Sequence, residues 1–92
     1  MIDKIKITYP SWYDELAEFE HEEKGYLNGV QMSTDGRKVV LNFYDIARLT
    51  QDADNDVQES GFFYMQNVVI VESVTRANIE AAAQGIAKAV LK

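Results

Sequence analysis

Apolar and polar residues alternate from position 4 to position 9, where Lys4, Lys6 and Thr8 interleave with Ile5, Ile7 and Tyr9. A period of two belongs to a strand with one buried face, and Pro10, which has no amide to offer a ladder, ends it. The period then lengthens. Trp12, Leu16 and Phe19 follow at spacings of four and three until Gly25, which predicts a helix with Ser11 as its cap and Asp14 as a weak form of capping box. The run LAEFEHE within it also fits a ragged strand.

In VQMSTDGRKVVLNF an Asp-Gly pair separates two β-rich runs, the pattern of a two-residue hairpin turn with Asp35 and Gly36 both at positive φ. That turn sets the register, with Met32 opposite Val39 and Val30 opposite Leu41. One face then carries Val30, Met32, Val39, Leu41 and Phe43, a core face, and the other a mixture of Gln31, Val40, Asn42 and Tyr44.

Beyond the hairpin, Asp45 is placed to cap a helix whose apolar stripe is Ile46, Leu49, Ala53 and Val57, with Gly61 at the C-terminal cap. FFYMQNVVIVE predicts one long strand or two short ones broken near Gln66-Asn67, and the run from Val68 to Val71 is apolar enough for a central strand buried on both faces. Thr75 then caps a last helix, with Val74 and Ile79 as a hydrophobic staple. Its stripe is Ile79, Ala82, Ala83, Ile86 and Val90, and Gly85 among alanines suits close backbone approach.

The order strand, helix, strand, strand, helix, strand, helix predicts an α+β fold. The arrangement it matches best is a two-layer sandwich with the ferredoxin-like βαββαβ order and an added C-terminal helix, and the alternative is an antiparallel, hairpin-centred α+β fold of other connectivity. Ninety-two residues make one domain, 1–92, with a modest core.

Composition narrows the function more than the fold. With no cysteine there is no thiol nucleophile, thiolate metal site or disulfide, which suits a reducing compartment, and no stretch reads as a membrane span or a secretory signal, so the cytoplasm is the expected location. A net charge of -6 argues against nucleic acid or an anionic membrane as partner and favours a neutral or basic one, although an acidic balance also serves solubility alone.

Two motifs invite a metal. Asp52, Asp54 and Asp56 alternate as in the first half of a calcium loop, but Val57 stands where the turn needs glycine and Phe63 where the closing glutamate belongs, so a solvated helical face explains them better. Glu18-Phe19-Glu20-His21 contains Glu-x-x-His, yet His21 is the sole histidine and a second such pair is missing. No metal or cofactor is therefore expected. Nor do the carboxylates sit in apolar runs that would tune them for acid-base work, and neither a nucleophile elbow nor a phosphate-binding glycine loop occurs. The chain does not read as an enzyme.

Two features stand above background. Tyr9, Pro10, Ser11, Trp12 and Tyr13 gather aromatic groups at a strand-to-helix junction, where rings can anchor a partner or simply close a core. Eleven of the fifteen acids lie on residues 14–23 and 45–59, and the ferredoxin-like order would set those helices side by side as one acidic surface. The first functional expectation is a small acidic non-enzymatic binding domain, an inhibitor or immunity-type protein, that engages a basic protein through Trp12, Tyr13, Glu18, Glu22, Asp52 and Asp56. The second is a ligand-sensing homodimer formed by the open sheet face around Tyr44.

Overall fold

The computed structural model describes residues 5–34 and 36–90. The elements run β1 (Lys6–Thr8), α1 (Glu15–Lys24), β2 (Tyr26–Thr34), β3 (Arg37–Tyr44), α2 (Ile46–Ser60), β4 (Val68–Ile70) and α3 (Arg76–Val90). The fold is α+β, with one four-stranded mixed sheet ordered β1-β2-β3-β4.

The hairpin forms in the expected register, Val30 against Leu41 and Met32 against Val39. Gly36 takes φ +77, while Asp35 and Lys4 lie outside the described residues. A Cβ added to Gly36 meets nothing within 4 Å, so Gly36→Val is expected to cost backbone strain alone, about 1–3 kcal/mol. A melting temperature equal to the parent's would show that the turn does not need glycine.

The ferredoxin-like order is not confirmed. A split βαβ would place β1 inside the sheet, whereas here β1 pairs with β2 at one edge. Only β4 is parallel to its neighbour β3, as a strand must be when a helix carries the chain back across the sheet. β4 is thus an edge strand of three residues with Ile70 exposed, not the central strand suggested by its apolar run. The segment before it is irregular: Asn67 turns at φ 56, and Asn42 holds the turn through its side-chain amide on the Gln66 carbonyl.

The core lies on one face of the sheet. Leu27, Val30, Met32, Leu41 and Phe43 of the hairpin meet Tyr13 and Ala17 from the α1 side and Val74, Ile79, Ala83 and Ala87 from the α3 side. Thr75 caps α3 through Oγ1 on the Asn78 amide, and the staple residues Val74 and Ile79 are fully buried. Gly85, by contrast, makes no close approach, and the Val90 side chain lies outside those described.

α1 differs most from expectation. Its cap is Asp14, whose carboxylate accepts the Ala17 amide at 2.8 Å, and not Ser11. The helix therefore turns Tyr13 and Ala17 inward and leaves Leu16 and Phe19 65 % and 62 % exposed. A small residue at the contact lets the helix lie close to its neighbours, and Phe19 in that place would hold it off.

α2 has both expected caps, Asp45 accepting the Arg48 amide and Gly61 donating to the Val57 carbonyl. Yet none of its residues is buried. Register sets Tyr26 and Tyr44 on the sheet face opposite Leu27 and Phe43, and there the Arg48 guanidinium stacks 4.5 Å above the Tyr26 ring. Arg48 also donates to the Lys24 carbonyl and pairs with Asp52 at 2.9 Å. That grip turns the Arg48 and Asp52 side of α2 toward the tyrosines and leaves Ile46 and Val57 of the apolar stripe in water. Among the described residues no helix is long and apolar enough to cross a membrane.

Candidate interaction surface

Strand pairing and the α1 cap together line up a chain of rings. Tyr9, leaving β1, stacks on Tyr13 with centroids 4.9 Å apart, and Tyr13 meets Trp12 edge to face. Trp12 lies 5.2 Å from the His21 ring, His21 meets Tyr26 edge-on, and Tyr26 stacks on Tyr44 across the hairpin. The His21 Nδ1–H donates to the Tyr26 carbonyl at 2.8 Å, since a carbonyl can only accept, and that fixes the ring plane. Each end of the chain is covered by a guanidinium: Arg76 over Tyr9 and Tyr13, Arg48 over Tyr26.

Three phenols of this chain are shifted upward by their surroundings. Burial is the main cause at Tyr9, Tyr13 and Tyr44, each raised above the ordinary value of 10.0, with the Glu80 hydrogen bond adding to it at Tyr9, the Glu18 charge at Tyr13 and the Asp52 charge at Tyr44. The Tyr9 hydroxyl donates to Glu80 at 2.8 Å. Tyr13 is 6 % exposed, and its hydroxyl is buried without a hydrogen-bond partner among the described residues.

The residues expected to bind a partner divide into two sets. Trp12 is 55 % exposed, and Glu22 and Asp56 point to solvent. Tyr13, Glu18 and Asp52 have structural employment. Glu18 accepts the first amide of α3, on Arg76, at 3.0 Å and faces its guanidinium at 3.7 Å, so this carboxylate ties α1 to the start of α3. Asp52 holds Arg48 over Tyr26. Glu18 and Glu22 act on Tyr13 and Asp52 acts on Tyr44, so the acids of the two helices attend different tyrosines. Tyr44 itself, read from sequence as part of an open face, is 3 % exposed.

Two residues that the helical periodicity assigns to a packed stripe face solvent instead. Leu16 and Phe19 stand one turn apart on the outer side of α1, and helical spacing surrounds them with Glu15, Glu20, Glu22 and Glu23, all exposed. An apolar pair ringed by four carboxylates is a surface of defined chemistry. Among the described residues no group of three or more His, Cys, Asp or Glu side chains is placed to hold a metal ion.

These features define the chain as an α+β domain with a mixed four-stranded sheet, two helices on its core face and a loosely seated third helix on the other. No protein-family model, curated protein or solved structure matches it.

Proposed function

We propose that the chain is a non-enzymatic binding domain that engages a basic protein partner through the outer face of α1. The observation behind this reading is the exposure of Leu16 and Phe19, at 65 % and 62 %, within a ring of glutamates. Large apolar side chains held in water at the centre of a charged rim have the anatomy of a binding hot spot, in which the apolar centre supplies affinity and the rim supplies encounter rate and selectivity. A partner with an apolar cleft bordered by lysine or arginine complements both parts. Trp12, at the entry to the same helix, extends the surface toward His21. An inhibitor or immunity-type role is the biological form such a domain would take.

The test is affinity capture at low and high salt with the parent, Phe19→Ala, and a Glu15→Gln, Glu22→Gln, Glu23→Gln variant. A basic protein held by the parent should be lost from the Phe19 variant. The triple variant should bind it about tenfold more slowly and with a flatter salt dependence, because steering acts on the on-rate. Equal retention by all three, or retention of acidic proteins only, would dismiss the α1 face as the binding surface.

A further inference from the structure

The sheet face opposite the core is only partly covered. By register, Lys6, Ser33 and Lys38 form one cross-strand row, Thr8, Gln31 and Val40 the next, and Tyr26, Tyr44 and Ile70 the row nearest α2. The Tyr26 and Tyr44 end lies under Arg48 and Asp52. The Lys6 end is open, a trough of about 650 Å³ lined by Lys6, Thr8, Gln31, Ser33 and Lys38 among others. In a chain of net charge -6 this concavity is hydroxyl-rich and carries Lys6 and Lys38, whose charge calls for an acidic occupant.

An occupant of that kind lies on the same face. α2 presents Asp54, Asp56 and Glu59 to solvent, with Ile46 and Val57 of its apolar stripe 63 % and 50 % exposed. We infer that this face pairs with the same face of a second copy, each copy's α2 resting against the other's Lys6–Ser33–Lys38 trough. A two-fold axis lying between two such faces turns the covered part of one onto the open part of the other, so the two α2 helices would together fill the layer that one fills only in part. Charge is then complementary twice over, once at each trough. Val40 and Ile70 of the sheet and Ile46 and Val57 of α2, each 43 % exposed or more, add an apolar component to the same face. α1 packs on the core side of the sheet, so a dimer of this form leaves the Leu16 and Phe19 surface accessible.

Charge reversal tests the pairing by sedimentation velocity over a concentration series. The parent should dimerise. Lys6→Glu with Lys38→Glu sets acid against acid at both troughs, and Asp54→Lys, Asp56→Lys with Glu59→Lys sets base against base, so each variant alone should dimerise about a hundredfold more weakly. Mixed in equal amounts, the two variants restore opposite charge at both contacts and should form a heterodimer of near-parental affinity. Circular dichroism checks that both remain folded, as expected for exposed charges. A monomeric parent overturns the inference, as do reversed variants that self-associate like the parent, or a mixture that stays monomeric.

Discussion

Gly25→Ala is expected to remove about 3–5 kcal/mol of stability, which for a domain of this size lowers the melting temperature by roughly 12 °C or more. Two costs combine. Gly25 closes α1 at φ +82, a backbone conformation that any other residue enters under strain. A Cβ there would also lie 2.6 and 2.8 Å from the two carboxylate oxygens of Asp45 and 2.9 Å from the Arg48 Cβ. Those atoms have little room to retreat, because Asp45 Oδ1 holds the Arg48 amide at 2.8 Å as the cap of α2 and the Asp45 amide donates to the Gly25 carbonyl. One joint therefore ends α1 and begins α2. Thermal melts decide the matter: a loss no larger than that of Gly36→Val, where nothing crowds the added carbon, would show that the joint relaxes freely.

Two phenylalanines should respond in opposite ways to the same truncation. Phe43 is fully buried at the centre of the hairpin face, and Phe43→Ala is expected to cost about 3–5 kcal/mol in lost transfer energy and residual cavity. Phe19→Ala is expected to stay within about 0.5 kcal/mol of the parent, since Phe19 is mostly in water already. Urea titration of both variants separates them. A large loss at Phe19 would mean that α1 docks through Leu16 and Phe19, as the sequence spacing alone would have it, and would remove the basis for a partner at that face.

Where local chemistry decides the outcome, the sequence was legible. Asp-Gly fixed the hairpin register, Asp45 and Gly61 marked the ends of α2, and Thr75 with Val74 and Ile79 marked the start of α3. Residues 12–24 offer two stripes, one through Trp12, Leu16 and Phe19 and one through Tyr13 and Ala17. Only the far wall, with Tyr9 stacked on Tyr13 and Arg76 over both, selects the second. Strand order is a long-range property of the same kind, because an apolar run such as Val68–Ile70 serves a central strand or an edge half-covered by a helix equally well. The candidate surface was visible in part. Trp12 and the glutamates announced it, but the ring chain through His21, Tyr26 and Tyr44 depends on pairing Tyr26 with Tyr44 past the irregularity between Leu27 and Val30, where Gly29 at φ +82 was the only local hint.

Both margins of the sheet are three-residue strands, β1 with Lys6 at its start and β4 running directly into the turns before α3. Among the described residues an incoming strand would find little free backbone to copy on either side, which leaves main-chain pairing from chain to chain a short template. Short margins of this kind are a feature that disfavours open-ended growth of a sheet into fibres.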